Sequence, residues 1–250
     1  MDFLESTKIA SRFEYVESTG STNTDLVTLA STEPQNYPHL SVLVAGSQTA
    51  GRGRTGRAWV SPAGKSLSIS VLVRPSWTPE QLGWLPLVAG VAMRNAIASA
   101  LPSSAIGLKW PNDVQVDGLK ISGILAELLP GMTGVVIGAG LNLTLTKEEL
   151  PIEAATSLLL EGAEVTADEI LAAYLRELSN LTESFDGIPD RVRAACSTIG
   201  HQVRAILPAE EEVLGTAVGI DETGRLLIQT SAAEPLFAVS AGDVTHLRHN

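Results

Sequence analysis

The chain has 250 residues, 44% of them hydrophobic, and carries 17 basic against 28 acidic side chains, a formal net charge of −11. This length supports one large core or a large domain with a small one, whereas the acidic balance argues against a nucleic-acid-binding protein, whose affinity comes largely from neutralising phosphates. No apolar stretch approaches the length of a membrane-spanning helix and the first residues form no signal peptide, so we expect a cytoplasmic protein with no membrane partner.

The first elements are predicted to be a helix and two strands. Residues 22–25 (Thr-Asn-Thr-Asp) precede an apolar stripe and predict a capped helix start, which places Ser21 to Asn23 at a helix N-terminus. Residues 40–45 and 67–73 predict strands joined by a loop. Serines alternate with apolar residues in the second strand, so we expect it to bury one face.

Alternating helix and strand signals continue through the middle of the chain. Apolar residues at three- and four-residue spacing predict one helix that starts at Pro79 and is ended by Leu101-Pro102. Strands are predicted at residues 114–116 and 121–128, with Asp117-Gly118 as the turn between them, and an apolar run follows at 135–137. A capping-box pattern at Thr166 predicts a second long helix, which ends near residues 187–189.

The character of the chain changes near Gly200. Short strands are predicted at residues 203–207, 216–220, 225–230 and 244–247. We interpret this as a small β-barrel appended to a larger α+β domain, with a boundary that gives domains 1–198 and 199–250.

Cysteine and histidine usage excludes two kinds of site. The single Cys196 cannot form an internal disulfide or a metal cluster, and the histidines at positions 39, 201, 246 and 249 show no ligand spacing. We interpret Cys196 as a small packed side chain rather than a catalytic thiol, because no histidine pattern accompanies it.

The strongest local signal is a glycine- and arginine-rich segment at residues 51–57. It fits the dinucleotide pattern G-x-G-x-x-G, but it leads into a strand and lacks the acidic residue about twenty positions later, so a Rossmann site is rejected. Glycines let backbone amides approach an anion, and Arg52, Arg54 and Arg57 offer guanidinium forks to phosphate or carboxylate. A flexible solvated turn explains the same spacing, and the pattern alone does not decide between the two.

Two further segments carry candidate chemistry. Lys120 starts an apolar strand just after a tight turn, so a rigid element can aim its ammonium into a cleft, although a lysine at a strand edge is also a common gatekeeper. Trp110 is predicted to be core, and Asp113 is open to a role as a turn residue. Residues 138–142 end a strand with small residues, which suits either a close-packed turn or a nucleotide lying against bare backbone.

Taken together, these segments resemble the biotin protein ligase family. In chain order the matching segments are Ser21-Thr22-Asn23, Gln48 with residues 51–57 and Trp59, Lys109 to Asp113, Lys120 with Gly123, and Gly138 to Asn142. The resemblance implies a catalytic domain related to class II aminoacyl-tRNA synthetases, with a mixed sheet and packed helices, plus a C-terminal SH3-like barrel. Larger members carry an N-terminal winged helix-turn-helix, for which the residues before Ser21 are too few, so it implies no repressor activity.

The resemblance also assigns residues to roles. The biotin site would comprise Ser21, Thr22, Asn23, Gln48, Gly51, Arg52, Gly53, Arg54, Lys120 and Gly123. The ATP and adenylate site would comprise Arg52, Arg54, Arg57, Trp59, Lys109, Asn112, Lys120, Gly140 and Asn142, with residues 143–156 on the nucleotide side. The catalytic residues would be Lys120, Arg54, Arg52 and Asp113. Lys120 would lie between the biotin carboxylate and the α-phosphate, and Asp113 would bind Mg²⁺ or help deprotonate the acceptor lysine.

The implied reaction joins biotin to ATP as biotinyl-5′-AMP with release of pyrophosphate, and the acceptor's ε-amine then displaces AMP. The acceptor would be the biotin carboxyl carrier domain of a biotin-dependent carboxylase, with ATP and Mg²⁺ as cofactors; monomer and homodimer both stay open. A lipoate or octanoate ligase, which shares the fold with a different glycine-rich signature, is the alternative enzyme. From another class, the arginine loop would be a non-catalytic RNA- or DNA-binding element, which the acidic balance disfavours.

Overall fold

A computed structural model describes residues 2–207 and 211–247. The ends of the two predicted domains, Met1 and residues 248–250, lie outside the described residues, as does the segment 208–210. A seven-stranded sheet forms the larger layer, with strand order β1-β2-β3-β7-β6-β5-β4. Its strands are β1 (Arg12–Val16), β2 (Ser41–Ala45), β3 (Ser66–Val73), β4 (Ile106–Lys109), β5 (Asp113–Val116), β6 (Leu119–Leu128) and β7 (Val135–Asn142). The β1–β2 pair is parallel and the other pairs are antiparallel, so the sheet is mixed, as predicted for an α+β protein.

Helices cover both faces of this sheet. They are α1 (Leu4–Ile9), α2 (Thr22–Thr32), α3 (Pro79–Leu82), α4 (Leu85–Ala100), α5 (Ala167–Glu183) and α6 (Ile188–Ala195). Thr166 caps α5 by accepting from the Glu169 backbone amide, while the Glu169 carboxylate accepts from the Thr166 amide, which confirms the predicted capping box. No helix in the described residues is both long and apolar enough to cross a membrane.

The prediction of one buried face for β3 is wrong, because all eight of its residues are buried. Ile69 and its apolar neighbours pack in the core that includes α4, whereas Leu72 packs on the opposite face in a cluster with Leu26 of α2. The serines tolerate burial because their hydroxyls are hydrogen-bonded: the Ser70 hydroxyl, for example, contacts Thr22 and Asn23. The alternation of serines with apolar residues in β3 therefore reflects hydrogen bonding of the serines rather than their exposure to solvent.

The helix predicted from Pro79 ends at Leu101 as expected, but it is two helices rather than one. The chain breaks at Gly83 and Trp84, and α4 starts afresh at Leu85 with Pro86 in its first turn, where a missing N–H costs little. Trp84 is fully buried, and its indole N–H donates to the Glu222 carbonyl, 3.0 Å away. The position of this tryptophan thus depends on the C-terminal part of the chain.

Several elements had too weak a local pattern to be predicted. Helix α1 and strands β1 and β4 are only four to six residues long and were not predicted. Strand β7 is longer than its apolar run, because residues 138–142 continue the strand and pair with β3 and β6. These residues are therefore strand rather than a close-packed turn.

The C-terminal part forms a second, antiparallel sheet of five strands, with order β11-β10-β9-β8-β12. The strands are β8 (Gln202–Ile206), β9 (Glu212–Ile220), β10 (Leu226–Gln229), β11 (Phe237–Val239) and β12 (Asp243–His246), of which β11 was not predicted. Cys196 is buried at the end of α6, just before this sheet, and burial raises the pKa of its thiol. The boundary between residues 198 and 199 stays a prediction.

Candidate active site

A cavity of about 330 Å³ lies where the edge of the second sheet meets the large sheet. Most of the predicted site residues line it: Ser21, Thr22, Asn23, Gln48, Arg52, Gly53, Arg54, Arg57, Trp59, Lys109, Asn112, Asp113, Lys120, Gly123 and Gly140. Two predicted residues, Gly51 and Asn142, are not among the lining residues. The structure thus brings together segments that are far apart in the sequence.

One end of the cavity is built from neutral polar groups around the start of α2. Gln48 Oε1 accepts from the Thr22 backbone amide at 2.8 Å and lies 3.2 Å from the Thr22 hydroxyl. The Ser70 hydroxyl on β3 lies within hydrogen-bond distance of both the Thr22 hydroxyl oxygen, at 2.8 Å, and Asn23 Oδ1, at 2.9 Å. Ser21, Thr22 and Asn23 are all buried, so these donors and acceptors are held in fixed positions. Such a set suits a neutral ligand that both donates and accepts hydrogen bonds.

The glycine–arginine segment is a folded loop that closes on itself. The Gly53 amide donates to the Arg57 carbonyl, and the Trp59 amide donates to the Gly51 carbonyl at 2.9 Å. A β-carbon on Gly51 would stand 2.3 Å from the Trp59 carbonyl oxygen, so this position requires glycine. Gly51 therefore shapes the loop from behind without lining the cavity.

The three arginines of the loop contact three different parts of the chain. Arg52 binds the Glu127 carboxylate at 2.9 Å, and Arg54 donates to Asn112 Oδ1 at 3.0 Å. Arg57 is ion-paired with Asp243 at the start of β12. Burial, and then the nearby Arg57, lower the pKa of Arg54, while Asp113 opposes this shift. These contacts orient the guanidinium groups, which a freely solvated turn would leave unordered.

Lys120 and Asp113 form an ion pair on neighbouring strands. Lys120 Nζ lies 2.6 Å from Asp113 Oδ1, and both side chains are about three-quarters buried. Lys109 also lines the cavity, and burial is the main cause that lowers the pKa of its ammonium. With Arg54 and Arg57, the basic side chains here outnumber the carboxylates of Asp113 and Asp243. This half of the cavity is consequently suited to anions.

Trp59 lies on a floor made by two glycines. Gly123 on β6 and Gly140 on β7 are directly paired, and a β-carbon on Gly140 would stand 2.1 Å from the Trp59 ring. Lys120 Nζ is 5.9 Å from the centroid of the same ring. Within the described residues, the buried Trp59 indole N–H has no hydrogen-bond partner. The two glycines therefore allow an aromatic surface beside the lysine.

Asn142 acts from outside the cavity. Its side-chain amide donates to the Thr156 carbonyl at 2.8 Å, which fixes the far end of the segment 143–156. The same segment is bonded to the backbone of Lys120, since the Lys120 amide donates to Ala154 and the Thr156 amide donates to the Lys120 carbonyl. The predicted nucleotide-side segment is thus connected to the strand that carries the lysine.

Sequence reasoning missed two carboxylates of this region. Glu127 accepts from Arg52 and, at 2.7 Å, from the Asn23 side-chain amide. It lies seven residues after Lys120 in the same strand, and the sequence carries no sign of its partners. Asp243 lies 186 residues from Arg57, so no local pattern connects the pair.

Comparison with known proteins identifies relatives along most of the chain. The model of the biotin/lipoate A/B protein ligase family matches residues 15–142, and that of the biotin protein ligase C-terminal domain matches residues 198–247. The biotin–[acetyl-CoA-carboxylase] ligase of Mycobacterium tuberculosis is 41% identical over 95% of this chain and 90% of its own. The corresponding enzyme of Paracoccus denitrificans is 32% identical over 86% of this chain and 92% of its own. The biotin protein ligase of Aquifex aeolicus in complex with biotin and ATP superposes with a TM-score of 0.78, at 27% identity over 95% of this chain and 100% of its own.

Proposed function

The chain belongs to the biotin/lipoate A/B protein ligase family, and on that premise we propose how its residues carry out ATP-dependent ligation of biotin to a protein. It is a biotin protein ligase, as are the named relatives that match it over 95% and 86% of its length. The lipoate or octanoate alternative is not favoured, because the named relatives over most of the chain are biotin ligases.

The observation that carries the proposal is that one cavity combines a neutral polar end with a cationic end. Biotin's ureido ring is neutral and both donates and accepts hydrogen bonds, which matches the groups of Ser21, Thr22, Asn23 and Gln48. Its carboxylate and the phosphates of ATP are anions and match the basic end. The cavity would therefore bring the biotin carboxylate and the phosphates of ATP together at its basic end, as the first reaction step requires.

In the adenylation step, the biotin carboxylate oxygen attacks the α-phosphorus of ATP and pyrophosphate leaves. We assign Lys120 to the point between the two anions, where its ammonium counters their repulsion and the charge that develops on phosphorus. Arg54, which is oriented by Asn112, would hold the same phosphate, and Arg52 and Arg57 would close the loop over it. Trp59 offers an aromatic face to the nucleotide.

In the second step, the ε-amine of an acceptor lysine attacks the acyl carbon of biotinyl-5′-AMP and AMP leaves. Asp113 is the carboxylate of the large sheet in the cavity, and its pairing with Lys120 puts it beside the reacting groups. It suits either removal of the amine proton or Mg²⁺ binding, since Mg²⁺ in nucleotide sites takes one or two carboxylates with phosphate oxygens and water. When bound, the ion would neutralise phosphate charge.

Other parts of the assignment extend beyond the family match. We infer that the large domain is related to class II aminoacyl-tRNA synthetases and that the five-stranded sheet is an SH3-like barrel; its antiparallel order supports the second inference. We further infer that the acceptor is a biotin carboxyl carrier domain, which the name of the M. tuberculosis relative supports. The cytoplasmic location and the choice between monomer and homodimer stay predictions.

The decisive experiment is ATP–pyrophosphate exchange measured with and without biotin. We expect exchange to depend on biotin and to be unaffected by equimolar lipoate, because the polar end matches a urea that lipoate lacks. Exchange that lipoate supports as well as biotin would contradict the substrate assignment. Transfer of biotin to a purified carrier domain then tests the acceptor.

A further inference from the structure

Trp110 is held at two points by the C-terminal part of the chain. Its backbone amide donates to the Thr198 hydroxyl oxygen at 3.0 Å, and its indole N–H donates to the Gly224 carbonyl at 3.1 Å. The residue is 2% exposed and opens the short connection from β4 to β5. Asn112 and Asp113 come after Pro111, so the anchors of Trp110 lie two and three residues from these groups of the active site.

Thr198 extends this contact to the second sheet. It is fully buried, and its hydroxyl oxygen lies 3.2 Å from Nε2 of His246, the last residue of β12. Since the oxygen accepts from the Trp110 amide, the hydroxyl hydrogen is available to a neutral imidazole nitrogen. His201 stacks on the His246 ring with a centroid distance of 4.9 Å and an interplanar angle of 2°. The imidazole is therefore restrained both in its plane and at its Nε2 atom.

The electrostatic surroundings keep this imidazole neutral. Burial, followed by Lys109 and His201, lowers the pKa of His246 to about 4. A neutral ring nitrogen can accept the Thr198 hydroxyl hydrogen throughout the range near pH 7. Protonation of the ring therefore does not compete with this hydrogen bond near pH 7.

The groups downstream of Trp110 are those that orient the reacting phosphate. Asn112 accepts from Arg54 through Oδ1 and donates to the Ile124 carbonyl through Nδ2 at 2.8 Å. Asp113 is paired with Lys120. A displacement of Trp110 by a fraction of an ångström would pass along this short, hydrogen-bonded stretch to both arginine and lysine.

We propose that Thr198 and His246 are positioning residues for adenylation: through the backbone of Trp110 they set the place of Asn112 and Asp113, and so couple the second sheet to the catalytic lysine. The inference rests on the proposed function of the cavity. It gives the five-stranded sheet a role in the first reaction step that is independent of any contact with the acceptor protein.

The test replaces the hydroxyl without changing the size of the side chain. In Thr198→Val, we expect the kcat of biotin-dependent pyrophosphate exchange to fall about tenfold, because small misplacements of catalytic groups have effects of this order. The affinity for biotin, measured by titration calorimetry, should stay within about twofold of the original chain, since the hydrogen bonds of Thr22, Asn23 and Gln48 do not involve Trp110. Thr198→Ser should restore most of the kcat, and His246→Leu should give an intermediate loss.

Thr182→Val is the matched control. Thr182 is also buried, and its hydroxyl bonds to the Leu178 carbonyl inside α5, away from the cavity. We expect this variant to lose stability like Thr198→Val but to keep the original kcat. Equal kcat values in Thr198→Val and Thr182→Val, or a Thr198→Ser variant as slow as the valine, would overturn the proposal. If Thr198→Val does not fold, an unchanged kcat in His246→Leu would by itself overturn the proposal. Absence of biotin-dependent exchange in the unsubstituted chain would instead refute the function itself.

Discussion

Replacing Lys120 with alanine should slow adenylation far more than it weakens biotin binding. The ammonium lies in the cationic half of the cavity, beside Asp113 and near the Trp59 ring. The groups that match the ureido ring, around Thr22 and Gln48, make their own hydrogen bonds and do not involve Lys120. The substitution therefore removes charge where it develops in the transition state and leaves the neutral end intact.

The size of the effect follows from the burial of the pair. At about 3 Å and an effective dielectric constant of about 20, two unit charges interact by about 5 kcal/mol, of which desolvation cancels a part. Loss of one preorganised donor to a developing oxyanion typically costs about 2.7–4 kcal/mol, or about 100- to 1,000-fold in rate. Lys120→Arg should recover little, because a planar fork on a longer side chain cannot occupy the same point between two anions.

The assay combines pyrophosphate exchange with biotin titration calorimetry on the same variants. Lys8→Ala is the matched control, because Lys8 also pairs with a carboxylate, Glu5, but lies on α1 and does not line the cavity. We expect Lys8→Ala to change the rate by less than about twofold, as its pair is more exposed. Near-normal exchange in Lys120→Ala, or a loss equal to that of the control, would refute the catalytic role and favour a strand-edge lysine.

Three further predictions follow from the charges around the cavity. Asp243→Asn should release Arg57 and speed amide hydrogen exchange in residues 52–58, and less than about 1 kcal/mol of stability should be lost because the Arg57 side chain is largely exposed. Unchanged exchange would contradict a restraint by Asp243. The lowered pKa of Lys109 means that its ammonium loses its proton earlier than usual as pH rises, so the KM for ATP should increase at alkaline pH. Lys109→Arg should move that increase to higher pH, because a guanidinium stays protonated. If KM rises at the same pH in both proteins, Lys109 does not contact phosphate. The pKa of His246 falls from 6.5 to about 4 on folding, so its contribution to stability is complete above pH 6.5 and is lost as pH falls towards 4. In urea unfolding, His246→Leu should therefore lose less stability than the original chain as pH falls through this range. An identical pH dependence of the two proteins would show that this ring does not titrate as described.

Features that depend on neighbouring residues were predictable from the sequence. The capping box of α5 spans Thr166 to Glu169, and the β5–β6 hairpin turns at Asp117-Gly118, where both residues have positive φ. Interactions within three or four residues, or across a two-residue turn, form wherever the pattern occurs. The same holds for the glycine–arginine segment, whose sequence predicted a loop that offers guanidinium groups to an anion.

Features that depend on distant residues required the tertiary structure. The serines of β3 gave the pattern of a half-exposed strand, but helices together with the segment around Ser61 bury all of it. Arg57 meets Asp243 across 186 residues, and the Trp110 amide meets Thr198 across 88. No local spacing encodes such pairs, because their meeting depends on how the two sheets pack. The residue types of the cavity were therefore readable from the chain, whereas the partners that orient them were decided by the packing of one sheet against the other.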